Sequence, residues 1–191
     1  MFELSLHILD IGENSLRAEA NSIEIEIVES QEEDLLEITI SDDGKGMSKE
    51  LKCQAIDPFT TTKTKKNQVG LGLPLFRQIA LECDGDFKLH SQEEAGTEVI
   101  ASFRRSHIDR PPLGDIASTL TSIIAGHPGV SLTYIHRTDE GRYSLKTTEV
   151  RSELEEVPLN HPQVLDFVRR DVEEGLSEIR PGEYVSETQT K

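Results

Sequence analysis

The sequence predicts a mixed α/β fold, because helical and strand patterns alternate along the chain. In residues 3–20 the apolar side chains recur at helical spacing, whereas residues 22–28 and 36–40 alternate between apolar and polar side chains, as half-buried strands do. A short charged turn separates these two strands, so we expect them to pair as a hairpin. The same patterns predict two further helices and then two further strands: 48–55, 71–82, 87–91 and 97–103.

A second segment begins after a break at about residues 104–112. Pro111 and Pro112 cannot lie inside a helix or a central strand, so they indicate a boundary. We therefore predict a first domain over residues 1–105, a small α+β module over 106–180 and a flexible tail over 181–191. The module is predicted to contain a helix, two strands and a final helix that Asn160 caps: 113–125, 130–137, 142–150 and 160–179.

The charge of the chain excludes some partners. Its 191 residues include 20 Lys and Arg against 36 Asp and Glu, which gives a formal net charge of −16. Because such a surface repels phosphate backbones, we expect no direct binding to nucleic acid, and an anionic membrane surface is disfavoured for the same reason.

The sequence carries no signal that would take the chain out of the cytoplasm, where we expect it. No apolar run approaches the ~18 residues that a transmembrane helix needs. Glu3 stands where a signal peptide would carry a basic residue. Cys53 and Cys83 do not form a CxxC pair, so we expect reduced thiols and no disulfide.

The first motif is a carboxylate and an amide on one helix. Asp10 and Asn14 are four residues apart, so their side chains lie on one face about a turn apart. A carboxylate can accept a proton from water, and an amide oxygen can ligate a hard cation such as Mg²⁺. Taken alone, the pair is better explained by an exposed polar stripe on an amphipathic helix.

The second motif follows the second strand. Asp42, Gly44 and Gly46 combine a carboxylate, which can accept a hydrogen bond from an exocyclic amine, with glycines that let the backbone approach a ligand. The alternative is an ordinary turn between a strand and a helix, for which Asp and Gly are the usual residues.

The third motif is a basic loop. Lys63, Lys65 and Lys66 form a cationic cluster in an otherwise acidic segment, which indicates an anionic ligand such as a polyphosphate. The alternative is a solvated loop whose lysines favour solubility.

The fourth motif, Gly70 and Gly72, opens a predicted helix, whose N-terminal N–H groups and dipole favour phosphate oxygens. A dinucleotide-binding fingerprint is excluded, because Leu75 stands in place of its third glycine and no strand precedes it. The segment also lacks the Gly-Lys-Ser/Thr of a P-loop.

In this order and spacing, the four motifs resemble the GHKL superfamily, which includes gyrase B, the ninety-kilodalton heat-shock chaperones, bacterial sensor histidine kinases and the MutL proteins. Asn14 falls on the family's N box, Asp42 to Met47 on its first glycine box, Pro58 to Lys63 on the F box and Val69 to Pro74 on the second glycine box. Gly96-Thr97 matches the last small box. The resemblance covers about residues 3–104 and implies the Bergerat fold, a two-layer α/β sandwich that binds ATP.

The resemblance also implies residue roles. Asn14 would hold Mg²⁺, Asp42 would accept a hydrogen bond from the adenine amino group, and Thr97 would lie near Asp42. Gly44 and Gly46 would shape the base and ribose pocket, with Met47 beside it. The lid and the phosphate contacts would involve five further residues: Thr62, Lys63, Gly70, Leu71 and Gly72.

One position departs from the family. ATPases of the superfamily carry a general-base Glu four residues before the Asn, and this chain has Asp10 there. We predict Asp10 as the catalytic base, because Glu13, the neighbour of Asn14, is turned about 100° away on a helix. Glu13 would then be a surface carboxylate.

The chain resembles stand-alone ATP-binding members of the family rather than complete sensor kinases. His7 lies on the first predicted helix itself, where a packed histidine is expected rather than a phosphoacceptor. We expect a Mg²⁺-dependent ATP-binding protein that hydrolyses ATP or phosphorylates a partner protein on Ser or Thr, as anti-sigma factors do. The alternative is a non-catalytic nucleotide-dependent switch that acts through the C-terminal module. A protein partner is expected, and related domains often form homodimers.

Overall fold

The computed structural model describes residues 3–57, 72–154 and 157–180. These residues form six helices and six strands, in the order α1 (Leu4–Arg17), β1 (Ser22–Ser30), β2 (Leu35–Asp42), α2 (Lys49–Ala55), α3 (Gly72–Glu82), β3 (Phe87–Ser91), β4 (Thr97–Arg104), α4 (Ile116–Gly126), β5 (Ser131–Arg137), β6 (Arg142–Lys146), α5 (Thr147–Glu153) and α6 (Pro162–Ile179).

The strands form one mixed sheet in the order β3-β4-β2-β1-β5-β6. The predicted β1–β2 hairpin is confirmed, with Ile25 opposite Ile40. Alternate strand residues such as Ile25, Ile38 and Ala101 are fully buried and share one core with side chains of the helices. The residues between them, such as Glu24 and Thr39, are exposed or half-buried. The predicted two-layer α/β fold is therefore confirmed.

Residues 106–180 contain the two predicted helices, α4 and α6, the two predicted strands, β5 and β6, and one further helix, α5; the strands extend the sheet of the first segment. β5 pairs in parallel with β1, and β6 pairs with the other side of β5. Ahead of α4, the backbone carbonyls of Pro112 and Leu113 accept hydrogen bonds from Leu4 N (3.0 Å) and Ser5 N (2.8 Å). The second segment thus packs directly on the helix that carries the first motif.

Two details of the second segment differ from the sequence prediction. The strand predicted over 142–150 ends at Lys146, and α5 begins at Thr147. The buried Thr147 Oγ1 accepts a hydrogen bond from Leu132 N (2.8 Å), so a side chain replaces the next backbone acceptor and the ladder stops. The cap of α6 is His161, not Asn160, because Pro162 already occupies the first helical position.

The predicted tail, 181–191, lies outside the described residues. Within the described part of the chain, each helix is too short or too polar to cross a membrane.

A buried charged network joins the two segments at the far end of β1. Glu29 Oε1 lies 2.8 Å from His136 Nε2 and 2.7 Å from Arg180 Nε, and Arg105 Nε lies 3.8 Å from Glu29 Oε2. His136 Nδ1 is 2.6 Å from the hydroxyl of Tyr134. Burial by itself would raise the pKa of Glu29, but the hydrogen bond with His136 and the positive charges of Arg180 and Arg105 outweigh it and hold this pKa below its ordinary value.

Replacing Glu29 by Gln should lower the free energy of unfolding by about 3 kcal/mol at pH 7, because Arg180 loses its buried counter-charge. The pKa of Glu29 is lowered in the folded state. The stabilisation that its charge provides is therefore complete above the ordinary pKa of 4.5, and it is lost as the pH falls from there through the lowered pKa of the folded protein. Urea unfolding of both proteins between pH 7 and pH 3.5 should therefore show a difference that shrinks with acidity. Glu24→Gln, at an exposed position of the same strand, is the control. If the difference in unfolding free energy between the two proteins does not depend on pH, the lowered pKa of Glu29 is contradicted.

Candidate functional site

Asp42 ends β2 beside the C-terminal half of α1, and its carboxylate is held at both oxygens. Oδ2 accepts a hydrogen bond from Ser15 Oγ (2.6 Å) on α1, and Oδ1 accepts one from Gly44 N (2.9 Å) in the turn that follows. Its neighbours in the sheet are Ile23 of β1 and Thr97 of β4. The carboxylate is therefore fixed at the C-terminal end of a central strand, next to α1.

Glycines allow the loops around Asp42 to approach closely. Gly46 and Gly96 both have positive φ, 62° and 84°. A Cβ at Gly46 would overlap the carbonyl of Gln92, and a Cβ at Gly96 would overlap the carbonyl of Asp42. These two positions therefore require glycine, which fits the prediction that Gly46 shapes a pocket.

A cavity of about 250 Å³ opens between α1, α2, α3 and the ends of β2 and β4. Its lining is mostly apolar and includes a few polar groups, which is the usual composition of a small-molecule site. The lining residues are Ile11, Asn14, Ser15, Arg17, Ala18, Asp42, Gly46, Met47, Leu51, Ala55, Leu73, Thr97 and Val99.

The structure brings five predicted site residues to this cavity: Asn14, Asp42, Gly46, Met47 and Thr97. Gly44 lies behind Asp42, where a Cβ would be 2.9 Å from the carbonyl oxygen of Ala18, so it shapes the turn rather than the lining. Four predicted residues lie outside the described part of the chain: Thr62, Lys63, Gly70 and Leu71.

Asp10 lies one turn before Asn14, beside the start of α3. Its side chain is exposed and is not among those that line the cavity. A Cβ at Gly72, the first residue of α3, would overlap Asp10 Oδ2. Gly72, which the sequence assigns to the lid and the phosphate contacts, thus lies beside Asp10. Its lack of a side chain lets the carboxylate lie against the beginning of α3.

His7 packs on α3 as the sequence led us to expect. Its ring stacks on Phe76, with 5.5 Å between the ring centres and 22° between the planes. Burial lowers the pKa of His7, and the nearby negative charge of Asp10 only partly opposes this. A neutral imidazole at pH 7 follows, in keeping with a packing role.

Several lining residues were not singled out from the sequence. Arg17 could have been found by helical spacing, because it lies three residues after Asn14, and its Nη1 donates a hydrogen bond to Asn14 Oδ1 (3.2 Å). Leu73 and Val99 carry no such signal, since they resemble any other apolar core residue.

The oxygen ligands on α1 at and beside the cavity fit a magnesium nucleotide. Mg²⁺ takes oxygen ligands, and with nucleotides it is usually held by one or two protein oxygens together with phosphates and waters. Asn14 Oδ1 supplies such an oxygen, and Asp10 adds a carboxylate on the same face of α1. Among the described residues, no group of three or more His, Cys, Asp or Glu could hold a metal ion by themselves.

Comparison with known proteins agrees with this geometry. Residues 3–107 match the family described as "Histidine kinase-, DNA gyrase B-, and HSP90-like ATPase". The heme sensor protein HssS of Staphylococcus saprophyticus is 27% identical over 92 residues, which are 48% of this chain. This chain covers only 20% of the length of that relative.

One solved structure shows the same fold. The ATPase domain of MutL from Aquifex aeolicus, complexed with ADP, superposes with a TM-score of 0.51 at 15% identity and covers 85% of each chain. The N-terminal domain of a DNA repair protein gives a TM-score of 0.46 at 16% identity, covering 76% of this chain and 52% of that one. Since the family match extends over more than half of the residues, the chain belongs to the histidine kinase-, DNA gyrase B- and HSP90-like ATPases.

Proposed function

We propose that this protein binds ATP with Mg²⁺ in the cavity beside Asp42 and either hydrolyses it or transfers its terminal phosphoryl group to a partner protein. The observation that carries the proposal is the carboxylate of Asp42, which two hydrogen bonds fix in the wall of a mostly apolar cavity. A flat aromatic base with an exocyclic amine matches such a wall. Membership of an ATPase family supports the same ligand.

Three polar residues of the cavity lining have roles in this proposal. Asp42 accepts a hydrogen bond from the adenine amino group, and Met47 and Val99 contact the ring. Asn14 ligates Mg²⁺, which when bound neutralises phosphate charge. Arg17 lines the same cavity and supplies a cation to the phosphates.

Asp10 is the proposed general base. Its carboxylate is exposed and free of any tight ion pair among the described residues, so it can accept a proton from an attacking water or from a partner's hydroxyl group. The structure keeps it on the same face of α1 as Asn14, the proposed magnesium ligand.

A non-catalytic switch is the second candidate, and one contact favours it. α4 packs on α1 at Gly12, where a Cβ would lie 3.0 Å from Ile123 Cδ1, so a shift of α1 on nucleotide binding would reach the second segment directly. In that case a partner protein would recognise the nucleotide-bound arrangement, and turnover would be slow or absent.

Calorimetric titration with a non-hydrolysable ATP analogue tests the binding site. We expect binding that requires Mg²⁺ and that weakens at least tenfold in Asp42→Asn, because the amide would place a donor or a weaker acceptor against the adenine amine. Glu98→Gln is the matched control, since Glu98 neighbours Thr97 but points to the other face of the sheet. Unchanged affinity in Asp42→Asn would refute the site.

Asp10→Asn separates catalysis from the switch. If Asp10 is the base, turnover should fall by a factor of about 10² to 10⁴ while the affinity for the analogue stays within about threefold. Phosphate release and transfer to protein substrates are the measurements, and Glu13→Gln is the control that should keep turnover. Undiminished turnover in Asp10→Asn would rule out the proposed base, and an intact protein without measurable turnover would favour the switch.

Gly72→Ala tests whether the position of Asp10 matters. The new Cβ would overlap Asp10 Oδ2, so either the carboxylate or the start of α3 must move. We expect turnover to fall about tenfold, because small displacements of a catalytic group cost much of its effect. Gly126→Ala is the control, since nothing lies within 4 Å of a Cβ there. Equal turnover in both variants would show that Asp10 acts from another position, or not at all.

A further inference from the structure

Ser15 is the buried polar residue that faces the cavity from α1. It is 3% exposed, and its hydroxyl lies 2.6 Å from Asp42 Oδ2 and 3.2 Å from the backbone carbonyl of Ile11. A hydroxyl has one proton to donate, and the shorter contact, to a charged acceptor, is the stronger one. Ser15 therefore donates to Asp42.

The hydrogen bond from Ser15 fixes the orientation of the Asp42 carboxylate, which the hydrogen bond from Gly44 alone does not. The hydrogen bond from Gly44 N fixes one carboxylate oxygen, Oδ1, and leaves the carboxylate plane able to turn about that point. A second bond at Oδ2, from a different element, sets the plane. Each carboxylate oxygen can accept more than one hydrogen bond, so an acceptor site remains for a ligand.

We infer that Ser15 is a positioning residue for base recognition: it aligns the carboxylate of Asp42 for the exocyclic amine of adenine and so helps the protein select adenine nucleotides. The inference rests on the proposed function, because it takes Asp42 as the group that contacts the base. Without Ser15, the carboxylate can turn away from the amine, and a neighbouring water can take the vacated bond. The ligand then loses a contact, although the cavity keeps its shape.

The test pairs a change in the protein with a change in the ligand. Calorimetry measures the binding of ADP and of purine riboside 5′-diphosphate, which has hydrogen in place of the amino group of adenine. Diphosphates are used so that turnover does not disturb the titration. We expect the full chain to prefer ADP about tenfold, and Ser15→Ala to lower ADP affinity about tenfold with little change for the analogue.

Ser5→Ala is the matched control. Ser5 is a second buried serine on α1, 2% exposed, and its hydroxyl faces Glu3 instead of the cavity. Its replacement should leave both affinities unchanged. Thermal unfolding without nucleotide checks each variant, and if Ser15→Ala does not fold, Ser15→Cys, which keeps the volume and weakens the donor, enters the same comparison.

The outcomes distinguish this inference from the proposed function. Equal weakening of both nucleotides by Ser15→Ala would show a general packing role and overturn the inference, as would an unchanged preference for ADP. If the unaltered protein binds both diphosphates equally well, Asp42 does not contact the amine; the inference fails while nucleotide binding stands. If it binds neither, the proposed function fails and the inference with it.

Discussion

The close packing of α1 between α3 and α4 is the constraint on which the rest of the structure depends. On one side the carboxylate of Asp10 lies against Gly72 of α3, and on the other Gly12 lies against Ile123 of α4. A side chain at either glycine would force the neighbouring side chain, Asp10 or Ile123, or the facing helix to move. Because α1 also carries Asn14 and Ser15, its depth in the core sets the distance between these side chains and Asp42 at the end of β2.

Electrostatics explains why so few charged groups matter at the candidate site. A net charge of −16 disfavours a polyphosphate ligand, so the proposed nucleotide would need local cations and the proposed magnesium ion to offset its charge. Among the described residues, Arg17 is the cation that lines the cavity, and its contact with Asn14 joins it to the proposed magnesium ligand. The lysines at 63, 65 and 66, which the sequence associates with an anion, lie outside the described residues.

The second segment is attached at both ends of β1 rather than at one point. Near the cavity, Ser131 N donates to the carbonyl of Asn21 (2.9 Å), and at the opposite end Glu29 binds Arg180 and His136. The segment therefore completes the sheet and the helical layer, and its helix α4 contacts the helix that carries the site.

The sequence alone determined the fold class, the order of the elements apart from α5, and five residues of the cavity, because periodic patterns and short motifs are local properties of the chain. It misplaced the end of β6, since the reason for that end is the hydrogen bond between Thr147 and Leu132, fifteen residues earlier. It gave no sign that Gly12 accommodates Ile123 or that Ser15 bonds to Asp42, because both partners are distant in the chain. Only the tertiary structure decided these contacts, since a glycine or a serine acquires its role from whatever the fold places beside it.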